Sequence, residues 1–181
     1  MLTDLQVKKL TRYFQVYDID DDGRIEESDF ARIVENVGVL HGSDGSGPNP
    51  VRRAYLALWE RLRERADSDR DQGIDLDEWL GYWQLTLEDD DLFESEVFAI
   101  TNRLFSVFDL DEDNGIGQNE FADFYGIFGL SVDLATTVFE TLDSDGDGMI
   151  THAELDVIAR QFFRGDDVEE PGSFLFGPYG A

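Results

Sequence analysis

Apolar residues fall at helical spacing along most of this chain, and four twelve-residue stretches dense in carboxylates interrupt them. Leu5, Leu10, Tyr13, Phe14 and Tyr17 form a rough apolar face, and Thr3 followed by Gln6 fits a capping box, so the first helix starts near Thr3. Phe30, Ile33, Val34 and Val37 mark a second helix. A Gly/Ser/Pro linker follows over 41–50, with Asn49 a candidate N-cap and Pro50 a first helical residue. Tyr55, Leu58, Trp59 and Leu62 predict a third helix, and Trp79, Leu80, Trp83 and Leu87 a fourth. The charged run 88–91 is a break between two halves. Phe98, Leu104, Phe105 and Phe108 predict a fifth helix, and Phe121, Phe124, Tyr125 and Phe128 a sixth. Leu134, Val138, Phe139 and Leu142 predict a seventh, N-capped by Ser131, and Leu155, Ile158, Phe162 and Phe163 an eighth. No strand run is long enough for a real sheet. The segment 164–181 is too rich in Gly and Pro for a long helix. Its Phe174, Leu175, Phe176 and Tyr179 are nevertheless too apolar for a dangling end, since burying each such side chain is worth roughly 1.5–3 kcal/mol. This tail is expected to fold back over an apolar surface.

The interruptions carry the chemistry. Residues 143–154 read Asp-Ser-Asp-Gly-Asp-Gly-Met-Ile-Thr-His-Ala-Glu. Oxygen-bearing side chains at positions 1, 3 and 5, Gly at 6, an apolar residue at 8 and Glu at 12 make the pattern of a calcium-binding EF-hand loop. Here these are Asp143, Asp145, Asp147, Gly148, Ile150 and Glu154, with the Met149 carbonyl at position 7. Calcium is a hard cation that takes six to eight oxygens, which such a loop supplies by wrapping the ion. Three further loops start at Asp18, Asp67 and Asp109, the first two further apart than the last two. Position 8 is Ile in all four (Ile25, Ile74, Ile116 and Ile150), as expected where paired loops meet in a tiny two-stranded contact. The pattern predicts an all-α fold, with four EF-hands in two pairs forming a compact globule and the tail packed back on the core. The expected units are 1–90 (loops 18–29 and 67–78), 91–163 (loops 109–120 and 143–154) and the tail 164–181.

Departures from the pattern separate the other loops. The first offers Asp18, Asp20, Asp22, the Arg24 carbonyl and Glu26, but Asp29 rather than Glu at position 12. Asp is one methylene shorter, so bidentate reach is harder, and a monodentate ligand suits octahedral magnesium better than calcium. A mixed calcium/magnesium site is expected. The second loop offers Asp67, Asp69, Asp71, the Gly73 carbonyl and Glu78, with Asp75 at position 9. It places Gln72 at position 6, where positive φ costs a non-Gly residue roughly 1–2 kcal/mol. Arg63 and Ala66 precede it where the other loops have apolar pairs. Two readings stay open: a degenerate loop that keeps its fold without an ion, or a working site with intact carboxylates. The third offers Asp109, Asp111, Asp113, the Gly115 carbonyl and Glu120. Asn114 tolerates the left-handed turn at its position 6, and Gly117 leaves position 9 to a water.

Charge agrees with this chemistry. The chain has 181 residues and a formal net charge of −27, with 41 acidic and 14 basic residues, many of the acids inside the loops. Packing carboxylates this close costs self-repulsion unless a cation neutralises them. Such a surface repels nucleic acid and anionic membranes. A hydrophobic fraction of 41% with 14 Phe indicates a folded chain. With no Cys, disulfides and thiolate metal sites are excluded. No apolar run reaches the roughly 20 residues of a membrane span, and the N-terminus is too polar for a signal peptide, so a cytoplasmic address and a monomer are expected. His41, in the linker, and His152, at loop position 10, are expected to face solvent and form no catalytic pair or zinc cluster. Enzymatic activity is therefore not expected. Only Met1 and Met149 are present, whereas sensors that grip many target helices use flexible Met-rich grooves. That favours a calcium buffer over a calcium sensor acting on a protein partner.

The chain resembles the sarcoplasmic calcium-binding proteins, including calerythrin-like members and calexcitins. The likeness rests on 17–25 with Asp29 at position 12, on 109–116 followed by Tyr125-Gly-Ile-Phe-Gly-Leu130, and on the ending Phe174-Leu-Phe-Gly-Pro178. The resemblance implies two packed EF-hand pairs, closed by the tail, in a cytosolic calcium/magnesium buffer. Calexcitins imply signalling instead. Family members commonly carry one defective loop, but here the second loop keeps all its carboxylates.

Overall fold

A computed structural model of the chain describes residues 1–40 and 50–179. Among these residues there are eight helices: α1 Asp4–Tyr17, α2 Glu27–Leu40, α3 Pro50–Ala66, α4 Leu76–Glu88, α5 Asp90–Phe108, α6 Gln118–Ile127, α7 Val132–Leu142 and α8 His152–Arg164. The expected N-cap at Asn49, the linker and His41 lie outside the described residues. Thr3 and Gln6 form the predicted capping box of α1. Ser131 sits at the N-cap of α7, but its hydroxyl makes no capping bond. The break at 88–91 is a single residue, Asp89, whose carboxylate accepts from Leu92 N at 3.0 Å and starts α5 at once.

Four short strands join the loops in pairs: β1 Arg24–Ile25, β2 Ile74–Asp75, β3 Gly115–Gly117 and β4 Met149–Thr151. β1 pairs antiparallel with β2, Ile25 opposite Ile74, and β3 with β4, Ile116 opposite Ile150. All four isoleucines are buried. Their side chains plug each ladder into the core, so two or three residues per strand suffice where an isolated hairpin would not hold.

The core is one aromatic cluster shared by both halves. Tyr13 of α1 stacks on Phe176 of the tail (ring centroids 4.8 Å) and meets Trp79 edge-on at 5.2 Å. Trp83 of α4 stacks on Phe163 of α8 at 4.3 Å. The tail forms a 3-10 turn over Pro171–Phe174 and then inserts Leu175 and Phe176, both buried. Its carbonyls are tied down too: Arg12 Nε donates to Phe176 O at 2.9 Å and Tyr125 Oη to Leu175 O at 3.2 Å. The tail therefore packs back as expected, with Phe174 and Tyr179 half-buried and stacked on each other.

Two predicted core positions point outward instead. Phe98 is 70% and Leu134 40% exposed. The buried stripe of α5 runs through Phe93, Val97, Ile100, Phe105 and Phe108, and Phe98 lies one residue, about 100°, off it. In α7 the small Ala135 takes the inward place beside Val138 and Phe139. Conversely, four charged residues are buried: Asp18 and Asp29 of the first loop, Glu96 and Lys9. Glu96 is held by Arg61 and Arg65 at 2.8 and 2.9 Å, which joins α3 to α5. Lys9 is fully buried, its ammonium donating to Gln161 O (2.8 Å) and Gly165 O (2.7 Å) at the C-terminus of α8. Positive charge is favourable at that end of a helix.

Burial pulls Lys9 down to about 8 from 10.5, although Glu170 and Asp166 push the other way. Between those two pH values the unfolded chain binds the extra proton, so stability rises with pH across the window. Relative to Lys9→Met, the wild type should gain stability from pH 8 to 10.5 in chemical denaturation, and stay level with it below pH 7. A second expected outcome concerns the tail. Phe176→Ala should cost about 3–5 kcal/mol in urea unfolding of the calcium-loaded chain.

Candidate metal centres

Each loop is built by its first aspartate. Asp18 Oδ1 and Oδ2 accept from Asp22 N and Gly23 N (3.1 and 3.0 Å), and Asp67 does the same for Asp71 N and Gln72 N. Asp109 accepts from Asp113 N and Asn114 N, and Asp143 from Gly146 N and Gly148 N. These amides curl the loop around one carboxylate. The carboxylate at position 5 then accepts from the amide of position 7 in all four loops, at 2.9–3.1 Å. That bond fixes where the next carbonyl points.

Two positions in each loop take positive φ. At position 6 these are Gly23, Gln72, Asn114 and Gly148 (φ 71–90°), and at position 4 Asp21, Arg70, Glu112 and Gly146 (57–72°). The second and third loops thus hold two left-handed non-Gly residues each, the first one, and the fourth none. The requirement at position 4 was missed by sequence reasoning, because most residues there are ordinary polar ones.

Position 12 locks each loop shut. Glu78 Oε1 accepts from Ser68 N at 2.8 Å and Oε2 from Asp75 N at 3.1 Å. Glu120 spans Leu110 N and Gly117 N, and Glu154 spans Ser144 N and Thr151 N. Asp29 makes the same two bonds despite its shorter stem, accepting from Ile19 N (3.1 Å) and Glu26 N (2.8 Å). It achieves this by sinking into the protein, where it is 1% exposed. Burial raises Asp29 and also Asp18 above the usual carboxylate range, against the pull of their amide donors. For Glu78 and Glu154 burial acts the same way, but amide and hydroxyl donors outweigh it and hold both low.

The predicted side chains converge in four places. Carboxylate oxygens lie within 4.8 Å of one another in Asp18/Asp20/Asp22, Asp67/Asp69/Asp71, Asp109/Asp111/Glu120 and Asp143/Asp145/Glu154. Asp29 and Glu78 fall outside the tight groups of their loops, as do Asp113 and Asp147. Glu26 lies instead 3.4 Å from the Arg24 guanidinium. The carbonyl positions Arg24, Gly115 and Met149 open their strands and Gly73 directly precedes β2. Anionic oxygens held this close by a rigid amide frame fit a hard divalent cation with oxygen ligands. His152 is exposed and stacks on Phe105 at 3.5 Å, away from ligand duty.

The comparisons agree with this geometry. The EF hand family profile matches residues 11–34 and 134–159, and the EF-hand domain pair profile matches 101–127, segments that contain the first, fourth and third loops. The chain is an EF-hand calcium-binding protein. It is 27% identical to calexcitin-1 of Caenorhabditis elegans over 94% of this chain and 85% of that one. It is 25% identical to the sarcoplasmic calcium-binding protein beta chain of Penaeus (97% and 95% covered) and 24% to calerythrin of Saccharopolyspora erythraea (93% and 98%). Its fold matches the sarcoplasmic calcium-binding protein of amphioxus (TM-score 0.70, 18% identity, 99% and 100% covered). It also matches the calcium-loaded apo coelenterazine-binding protein of Renilla muelleri (TM-score 0.75, 20% identity, 98% and 100% covered). The chain is thus similar over nearly its whole length to calexcitin, sarcoplasmic calcium-binding protein and calerythrin. Among the described residues no helix is long and apolar enough to cross a membrane.

The left-handed positions give a direct test. Gly148 has open space around it (φ 90°), so a methyl there meets no atom and only the backbone resists. Gly148→Ala should weaken calcium-loaded stability by about 1–2 kcal/mol in denaturant titration, with no change in the far-UV spectrum.

Proposed function

We propose that this chain is a non-enzymatic cytoplasmic calcium buffer that also takes magnesium. The proposed ligands of the first loop are Asp18, Asp20, Asp22, Glu26 and Asp29 with the Arg24 carbonyl. In the others they are the carboxylates at positions 1, 3, 5 and 12, with the carbonyls of Gly73, Gly115 and Met149. We read 1–90 and 91–163 as the two EF-hand units, closed by the tail 164–181.

The observation that carries the buffer reading is the filled interior. A sensor needs an apolar groove that opens toward a partner. Here that space holds Tyr13, Trp83, Phe162 and Phe163, and Phe176 is packed among them. Two cavities among the described core residues have volumes of about 20 and 10 Å³, room for no more than a water. The same filling speaks against a luciferin-type cofactor in the core. Opening the groove would expose large aromatic area, so calcium binding by this chain completes a closed globule.

The magnesium reading rests on Asp29. A buried carboxylate that stands outside the tight group of its loop supports a smaller coordination number, which suits magnesium. Asp29→Glu should shift the first loop toward calcium over magnesium in competitive titration calorimetry; unchanged affinities for both ions would sink this reading. For the buffer role the check is an apolar dye. Fluorescence should fall when calcium is added to chelator-treated protein, and the melting temperature should rise. A rise in dye binding on loading would favour the sensor reading instead.

A further inference from the structure

The side chain at position 7 of a loop is free, because that position contributes only its carbonyl. In both pairs one loop has glycine there, and the partner loop lays its own position-7 side chain over it. In the C-terminal pair Met149 covers Gly115, and a Cβ on Gly115 would sit 2.9 Å from Met149 Cβ. In the N-terminal pair Arg24 covers Gly73, and a Cβ there would overlap the guanidinium. The two arrangements are alike in packing and differ in charge. Met149 is neutral, whereas Arg24 reaches across the ladder and forms an ion pair through Nη2 with Asp71 Oδ1, the carboxylate at position 5 of the second loop. That same oxygen accepts from Gly73 N at 3.1 Å. The other side of the guanidinium lies 3.4 Å from Glu26. This also accounts for the displaced glycine of the second loop: Gly73 makes room for Arg24, and Gln72 bears the positive φ of 76°.

We propose that Arg24 is a tethered competitor at the second loop, holding the Asp71 carboxylate that a divalent ion needs there, so that this loop fills only at higher calcium than its own ligands would set. The proposal rests on the reading that the second loop takes an ion. A divalent ion arriving among Asp67, Asp69 and Asp71 must displace the guanidinium or share an oxygen with it, and the two cations repel at that range. No such opponent lies over the fourth loop's partner, so one chain carries two pairs with different filling ranges. Arg24 acts as a specificity-determining residue through charge, while its backbone serves the first loop.

The test is an amide NMR calcium titration of the full chain. It follows Gly73 as reporter of the second loop and Gly115 as reporter of the other pair. Arg24→Met copies the C-terminal arrangement and keeps the packing over Gly73. It should lower the calcium concentration that half-saturates the Gly73 shift by about fivefold to tenfold. Asn is an accepted ligand at position 5, so Asp71→Asn retains a site while removing the ion-pair partner. In that background Arg24→Met should move the midpoint by less than about twofold. Gly115 should titrate alike in all four proteins, which controls for folding. An equal gain in the Asp71→Asn background, or no gain in either, would overturn the proposal while leaving the second loop an ion site. A Gly73 amide blind to calcium in wild type and in Arg24→Met would overturn both the proposal and the ion-site reading beneath it.

Discussion

Mutual repulsion among carboxylates is the constraint on which this structure depends. Four groups of three oxygens stand within 4.8 Å, in a chain of net charge −27. Like charges at that range would scatter an unsupported loop. Backbone amides oppose this by converging on the carboxylates at positions 1, 5 and 12, so part of the cost is met before any cation arrives. The helices serve the same end. Each loop starts on the residue just after one helix and finishes inside the first turn of the next, and a buried isoleucine pins its middle to its neighbour.

The core explains why the frame holds. Tyr13 touches rings from α1, α4, α8 and the tail, and Trp83 bridges α4 to α8. Both halves therefore share one apolar cluster. Ion pairs across the halves follow suit, with Glu96 clamped by Arg61 and Arg65, while Arg160 and Glu94 tie α8 to α5 within the second half. Replacing this aromatic interior by flexible methionines would give a softer surface able to adapt to partners.

Much of this was legible in the chain. Loop registers, helix order, the Ile–Ile ladders and the return of the tail all follow from residue type at fixed spacing, because each is a local rule. What escaped depends on tertiary placement. The burial of Lys9 follows only from the end of α8, whose carbonyls receive its ammonium. Phe98 and Leu134 read as core until the neighbouring helices choose another stripe. Arg24 reads as a carbonyl ligand whose side chain has no part in the pattern, and only the ladder register turns that side chain toward Asp71. The shifted glycine at Gly73 was the available signal, since it pointed to a close approach from outside its own loop.

The fourth loop matches the binding pattern most fully, and its two left-handed positions are both glycine. In the second and third loops the same positions carry Arg70 with Gln72, and Glu112 with Asn114. Glycine samples far more backbone conformations than these residues, so ordering it gives up more freedom. The loop with the best ligands is thus the one that must be gathered from the widest ensemble, and that penalty grows with temperature. Warming would erode its advantage over the stiffer loops, drawing the sites of one chain closer together in strength.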